Sequence, residues 1–359
     1  MFYMSQDVFD IYKKPYISTL FYIILSPCPV SYHSSLGFMF ICPYVPNALS
    51  IWDVAQSGIK ANIALSAYRF IDQNEEFDFE TDEQCRELCR IADKWHGAEN
   101  GRIKIDAGIW AEYTSNYLLW ESMADYAAEK GLGFQLHLGA SQEEVDSCLD
   151  RTGLEPGELL NCHRVFGVNA AFAGGNALSD SDKAILGKKK VSMITTPICD
   201  AKSGLTPAPI AASVKAGLNV ALGTGGALEC GNLDMFEVMR YAAMQERCAG
   251  GDATALPAPA ALMMATVCGA RAQGRATQCG MLKEGMDADL ILVDFSAPHL
   301  MPCHNVVSSL VFSAKGGDVA MTMVQGKILY QNGQFPTIDL KSVVEELTEY
   351  AIPRLFAEE

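Results

Sequence analysis

The stretch Leu218–Asn232, LNVALGTGGALECGN, decides how the rest of the chain is read. Val220, Ala221 and Leu222 form a short apolar run bounded by turn residues, the pattern of a strand buried on both faces. Gly223, Gly225 and Gly226 follow at once and let backbone approach a ligand closely. The glycine-rich mouth offers one hydroxyl, Thr224, and no carboxylate before Glu229.

Working outward, short apolar runs alternate with turns and amphipathic stretches from about Leu36 onward, the signature of βα units around a parallel sheet. The pattern predicts strands at Phe38–Pro43, Ala61–Ser66, Ile103–Ala107, Gly133–Leu138, Leu159–His163, Val191–Thr195 and Leu218–Leu222. Helices are expected near Leu49–Ser57, Asp82–Trp95, Tyr117–Glu129, Gln142–Asp150, Asp180–Lys188, Pro207–Lys215, Leu233–Cys248 and Ala258–Arg271. Thr81 and Ser141 place hydroxyls just before acidic or amide residues, as at helix starts. These strands fit an α/β fold of the (β/α)8 TIM-like barrel type lacking one clear strand, for which Tyr16–Leu25 is a candidate. A doubly wound open sheet competes, but no G-x-G-x-x-G follows an early strand, which counts against a dinucleotide site.

Beyond residue 280 the chain changes character. Ala288–Asp294, Leu310–Phe312, Val319–Gln325 and Lys327–Tyr330 are short β runs separated by Gly-Gly, Gln-Gly and Asn-Gly turns, which predicts a small antiparallel unit before a last helix at Leu340–Leu347. The expected organisation is a leader over 1–34, a barrel over 35–280, a partial small β-sandwich over 281–339 and a C-terminal helix over 340–359.

The 359 residues, 49% hydrophobic, suffice for one large α/β domain and an appendage. A net charge of −16 argues against a nucleic-acid footprint or an anionic membrane surface, and favours a soluble protein that handles neutral or cationic small molecules. Twelve cysteines without a CxxC pair read as reduced thiols of a cytoplasmic protein, and a homo-oligomer is compatible with all of this. Cys85 and Cys89, four apart on a helix, could share a face with a metal, but no second ligand pair lies nearby. Lys13 and Lys14 precede the apolar run Ile17–Leu25, which is too short to span a bilayer and lacks a small-x-small cleavage site.

His137 closes the run Gly-Phe-Gln-Leu-His and His163 closes Leu-Leu-Asn-Cys-His. Both imidazoles are expected to enter one barrel mouth from consecutive strands. Neutral imidazoles placed so can bind Zn²⁺ or Fe²⁺ and lower the pKa of a bound water; equally, each ring can serve as a hydrogen-bonded member of a polar mouth.

From roughly Gly37 onward the chain resembles the amidohydrolase superfamily, nearest its methylthioadenosine/S-adenosylhomocysteine deaminases and the related chlorohydrolases. The segments that carry the resemblance are Ala111–Ser115, the His137 and His163 runs, Gly223–Ala227 with Asn232–Phe236, Ala265–Ala270 and Gly280–Leu290. The resemblance implies a barrel with a small β-sandwich, and a mononuclear Zn or Fe whose hydroxide attacks a ring carbon and releases ammonia from an adenosine-type nucleoside.

Against that family pattern this sequence departs at several positions. The first strand of such proteins normally ends in His-x-His, and no such pair occurs here; His33 stands alone. Where the family's His-x-x-Glu places its proton shuttle, this chain has Ala140, while Glu143 and Glu144 fall at a helix start, where solvated acids are expected. The barrel-closing aspartate corresponds to Gly225, the histidine before Ala-Glu-Tyr-Thr-Ser to Trp110, and the usual Ser-Asn to Cys199-Asp200. His137 and His163 are thus the residual metal ligands, and Trp110, Glu112, Thr224 and Gly225 are expected to line the pocket. The expectation is a deaminase-like protein that has lost most of its hydrolytic chemistry. Two alternatives stand beside it: a non-catalytic module for a purine-nucleoside-like ligand, and an active hydrolase with substitute ligands from Cys42, Asp200, Cys199 or Cys230.

Overall fold

A computed structural model describes residues 38–42, 48–67, 77–226 and 230–355. The leader over 1–34 and the strand expected at Tyr16–Leu25 lie outside these residues. In chain order the first layer comprises β1 (Phe38–Cys42), α1 (Ala48–Ser57), β2 (Ala61–Ala67), α2 (Glu83–Trp95), β3 (Ile103–Ile109), α3 (Tyr117–Lys130), β4 (Phe134–Leu138), α4 (Gln142–Thr152) and α5 (Pro156–Cys162). It continues through β5 (Ala170–Gly174), α6 (Asp180–Lys188), β6 (Ser192–Thr195), α7 (Pro197–Lys202), α8 (Ile210–Lys215), β7 (Asn219–Leu222), α9 (Met235–Gly250), α10 (Ala258–Ala265) and α11 (Val267–Ala272). The tail adds β8 (Leu290–Val293), α12 (Val306–Phe312), β9 (Val319–Val324), β10 (Lys327–Gln331), α13 (Leu340–Glu346), a π turn at Leu347–Ala351 and α14 (Ile352–Leu355).

The seven strands β1 to β7 form one parallel sheet whose spatial order is their chain order. A doubly wound sheet reverses direction at a switch point, and this one does not, so the singly wound barrel type is the architecture observed. Side chains alternate between two faces with period two. On the outer face Ile63, Leu65, Ile105, Phe134, Leu136, Phe172, Met193, Val220 and Leu222 pack into one core with Leu88 and Ile91 of α2 and Leu119 and Met123 of α3. Each such side chain, fully buried, contributes about 1.5–3 kcal/mol. On the inner face the lowest layer is polar: Asn62, Asp106, Gln135, Ser192 and Asn219 are all buried.

That polar layer is closed by hydrogen bonds and plugged from below. Asp106 accepts from Asn62 Nδ2 (2.9 Å) and Gln135 Nε2 (2.7 Å) on one oxygen and from Gly133 N (3.0 Å) on the other. Asn219 donates to Ser192 Oγ and to the Cys268 carbonyl of α11, and accepts from Arg271. Arg275, wholly buried, fans its guanidinium onto Asn62 Oδ1 and the carbonyls of Ala61, Gly101 and Arg102.

The tail forms a three-stranded antiparallel sheet in the order β10-β9-β8. Its β9–β10 hairpin turns on Gln325 and Gly326, both at positive φ, as the tight two-residue hairpin requires. Lys60, at the foot of β2, binds it to the barrel: its ammonium lies 2.5 Å from both Asp287 and Asp289.

Two expected strands are corrected. Leu159–His163 is not a strand; it falls on α5 and its C-cap, which starts with Pro156 in the first helical turn, and the fifth strand is Ala170–Gly174. A short apolar run fits either element, and proline at a helix start decides here. Leu310–Phe312 likewise ends helix α12, which Asn305 caps through Ser308 N. The helix expected over Ala258–Arg271 is broken at Thr266 into α10 and α11. No helix among the described residues is long and apolar enough to cross a membrane.

One buried acid makes stability depend on pH. Asp53 of α1 is 6% exposed, its Oδ2 has no hydrogen-bond partner, and burial, with Glu346 of α13 alongside, pushes its carboxyl up to about 7 from 3.8. The folded state therefore holds a proton that the unfolded chain releases near pH 4, so this contribution is complete below that pH and is lost as pH rises through about 7. Asp53→Asn is expected to stabilise the protein at pH 8 by about 1–3 kcal/mol relative to wild type. Urea unfolding of both proteins at pH 5 and pH 8 checks it: an equal difference at the two pH values would contradict the assignment.

Candidate ligand-binding site

His137 shares the inner face of β4 with Gln135, two residues below it, so the pleat alone directs its ring into the barrel. The Trp110 carbonyl, just past β3, fixes it twice, accepting from His137 N at 2.8 Å and meeting Nδ1 at 3.1 Å. The Trp110 ring lies over the imidazole with centroids 4.4 Å apart. The next inner positions around the layer are Ala173, Ile194 and Ala221, which register pairs with His137 in sequence. Ala173 and Ala221 are small, and Ile194 and Ala221 pack with Ala272 of α11. Two buried polar atoms of inner-face residues, Ser66 Oγ and Gln135 Oε1, have no hydrogen-bond partner.

Around the rim, the loops are held by their own polar contacts. Glu144 is not the solvated acid expected at a helix start; it reaches back and accepts from Gly139 N (2.8 Å) and Ala140 N (3.0 Å), while Ser141 Oγ caps α4 at Glu144 N. Glu112 is fully buried and receives Arg151 Nη2 at 2.6 Å. Burial raises its carboxyl pKa, with Arg151 opposing. The predicted pocket residue Glu112 is therefore a buried anchor for α4 beneath the rim. Asp200 is buried too, with Asn176 Nδ2 on one oxygen (2.9 Å) and Thr196 Oγ1 on the other (3.2 Å); desolvation raises its pKa against both hydrogen bonds.

Thr224 and Gly225 do lie at the mouth, half-buried and exposed respectively. Gly225 sits at φ +70°, and a Cβ built on it would fall 2.4 Å from Cys199 Sγ. That thiol donates to the Thr224 carbonyl at 3.2 Å. His163 is elsewhere: at the C-cap of α5, its Nδ1 is 3.1 Å from Glu121 Oε1, and its ring stacks on Tyr117 and meets Trp120 edge-on, all on α3. The two histidines expected in one mouth are thus separated, because the segment carrying His163 is helical and β5 supplies only Ala, Phe and Gly.

A model of the amidohydrolase family matches residues 31–329. The chain belongs to the amidohydrolase family. It is 34% identical over 278 residues to a 5-methylthioadenosine/S-adenosylhomocysteine deaminase of Thermoanaerobacter pseudethanolicus, covering 77% of this chain and 64% of that protein. It is 37% identical over 298 residues to a 5'-deoxyadenosine deaminase of Methanosarcina mazei, covering 83% and 67%. Among solved structures, an adenosine deaminase from Xanthomonas campestris with bound zinc matches with a TM-score of 0.77 and 25% identity, covering 86% of this chain and 69% of that one. An atrazine chlorohydrolase from Arthrobacter aurescens complexed with zinc shares the fold at a TM-score of 0.75 and 22% identity, covering 84% and 68%. The chain spans about two thirds of the length of the curated relatives it matches.

Zinc in these family structures raises the question of what this amidohydrolase chain offers a metal. His137 is the one imidazole at a strand end among the described residues, Asp200 and Glu112 are committed to Asn176, Thr196 and Arg151, and Gly225 has no donor. Among the described residues no three His, Cys, Asp or Glu side chains come together as metal donors. The described residues, among which the side chain of the candidate ligand Cys42 is not included, do not supply the three protein ligands around an open position that a mononuclear catalytic ion needs. The residues that the sequence did not single out, Ser66 and Gln135, carry no motif. The parity of Gln135 with His137 was the available signal for one of them.

Proposed function

We propose that this chain is an amidohydrolase-family barrel that binds an adenosine-type nucleoside, of the 5'-deoxy or 5'-methylthio class, and has lost the metal-assisted deamination of its relatives. The ligand class rests on the deaminases it matches at 34–37% identity over most of its length. The observation that carries the loss of chemistry is Gly225: Cys199 Sγ occupies the space any side chain there would need, so no carboxylate can be presented from that position without displacing the thiol. Ala140 and the removal of His163 to the outer helices point the same way.

Binding needs none of these groups. The base would enter above the polar layer, where Ser66 Oγ and Gln135 Oε1 lack partners and the Trp110–His137 pair forms an aromatic wall. A buried donor or acceptor without a partner costs about 1–3 kcal/mol, which a ligand amine or ring nitrogen would recover.

Saturating 5'-deoxyadenosine or methylthioadenosine is expected to raise Tm, by the linkage that gives about 2.7 kcal/mol at a hundred times Kd. Trp110→Ala is expected to weaken binding about tenfold, in line with the ~1.4 kcal/mol that an aromatic contact contributes, and Trp110→Phe to restore most of it. Calorimetric titration of the three proteins checks this. Equal affinity in all three would remove Trp110 from the site, and no nucleoside response in wild type would overturn the binding proposal.

A further inference from the structure

Strand β3 pairs with β2 along seven residues from Ile103 but with β4 at Ala107 and Gly108 alone, so the sheet is parted at the feet of β3 and β4. His96, at the C-cap of α2, takes up the strand there: its Nδ1 lies 2.9 Å from the Ile105 carbonyl oxygen and 3.2 Å from the Ile105 nitrogen. Beside it a cavity of about 270 Å³ opens at the closed end of the barrel, and none of Trp110, His137 or Gly225 lines it. One wall is apolar, with Ala127 of α3, Leu132 just past that helix and Val168 before β5. The other carries Lys104 and Asn169, whose side-chain nitrogens converge over Gly274: a Cβ there would stand 3.8 Å from Lys104 Nζ and 3.3 Å from Asn169 Nδ2. Each nitrogen has hydrogens to spare, since the half-buried Lys104 donates to the Gly274 carbonyl (2.9 Å) and Asn169 to the Ala272 carbonyl (2.9 Å). The carboxylate in the lining, Asp106, is taken by Asn62, Gln135 and Gly133 N, and among the described residues none forms an ion pair with Lys104. Burial and the nearby Arg275 guanidinium draw the Lys104 ammonium below its usual range, with Asp106 opposing, as for a cation short of counter-charge.

We propose that this cavity is a second ligand site, which takes a small organic monocarboxylate with its oxygens on Lys104 Nζ and Asn169 Nδ2 and its hydrocarbon body against Ala127, Leu132 and Val168. The cavity is just below the ~300–1,000 Å³ of small-molecule pockets, so the occupant is smaller than a nucleoside. An ammonium with free hydrogens makes a charge-assisted hydrogen bond to a carboxylate, and the anion supplies the counter-charge that the protein withholds. Asp106 in the same lining opposes a second negative charge, which selects a monoanion over a phosphate dianion. The apolar wall adds a preference for a ligand with a hydrocarbon part over an inorganic ion. Bound there, the acid joins the foot of β3, the end of α3 and the segment after α11, and so stabilises the folded chain.

Calorimetric titration of the full chain with benzoate, benzamide and inorganic phosphate tests this. Benzoate is expected to bind, and benzamide, of the same shape without the charge, to bind about tenfold more weakly or worse, as the loss of a hydrogen bond between charged groups implies. Phosphate is expected to bind more weakly than benzoate. Lys104→Met should abolish the preference for benzoate over benzamide, and Lys104→Arg should keep it. Ala128→Leu, at an exposed helix position on the cavity edge, should weaken both aromatic ligands by filling space without touching the cation. Excess 5'-deoxyadenosine should displace neither. Absence of benzoate binding, equal affinity for benzoate and benzamide, tighter binding of phosphate, or an unchanged preference in Lys104→Met overturns the proposal. The wild-type contrast and Ala128→Leu decide the matter if Lys104→Met fails to fold, and neither depends on nucleoside binding at the barrel mouth.

Discussion

Arg275→Met is expected to destabilise the protein by about 3–5 kcal/mol, the range for removing one partner from a buried charged network. The guanidinium is fully buried at the closed end of the barrel, where it satisfies Asn62 Oδ1 (2.9 Å) and the carbonyls of Gly101 (2.7 Å), Arg102 (2.8 Å) and Ala61 (3.1 Å). Methionine fills much of the volume but leaves these acceptors without donors and out of reach of water. Asn62 also donates to Asp106, so the loss should spread to the layer that positions β2, β3 and β4. Arg275→Lys should fall between, since one ammonium keeps the charge but cannot span four acceptors with a planar fork. Urea unfolding measures it: a shift in midpoint at constant m is expected, and a change below about 1 kcal/mol would mean that the network is not structural.

Lys60→Met is expected to cost a similar ~3–5 kcal/mol, because it strands Asp289, whose side chain is 2% exposed, together with Asp287. Gln325 N would then be the remaining hydrogen-bond donor to Asp289 among the described contacts. Burial works against ionisation of Asp287, yet the Lys60 ammonium and Gln325 hold its carboxyl below the ordinary range. This contribution is therefore present above pH 4 and lost as the carboxyl protonates in stronger acid. Lys60→Met with Asp289→Asn should recover part of the loss, since the double variant buries no unpaired carboxylate at that position. Additive effects of the two single changes would contradict direct coupling.

These two clusters show where the sequence was legible and where it was not. Strands β4 and β7 announce themselves by short apolar runs ending at a glycine, and the register of β4 puts His137 on the same face as Gln135. Strand β5, Ala-Ala-Phe-Ala-Gly, has one large apolar residue and no β-branched one, so nothing local distinguishes it, while Leu-Leu-Asn-Cys-His in α5 imitates it. Lys60 and Arg275 are isolated polar residues whose partners stand up to 229 and 214 positions away, beyond any periodicity argument. The tail motif containing Asp287 and Asp289 was visible as a family resemblance, but its role as a clamp on Lys60 became visible only with the fold. The departures at Ala140 and Gly225 were plain in the sequence. That Cys199 fills the space beside Gly225 was not, because 26 residues separate them.

Loss of hydrolysis with retention of the nucleoside pocket is the central claim, and one sample tests both halves. Purified protein is dialysed against zinc, desalted, analysed for bound metal, and incubated with methylthioadenosine and 5'-deoxyadenosine while ammonia and nucleoside binding are followed. The account predicts nucleoside binding with less than one stoichiometric zinc and no ammonia above the protein-free control. One tightly held zinc per chain together with sustained ammonia release would contradict it.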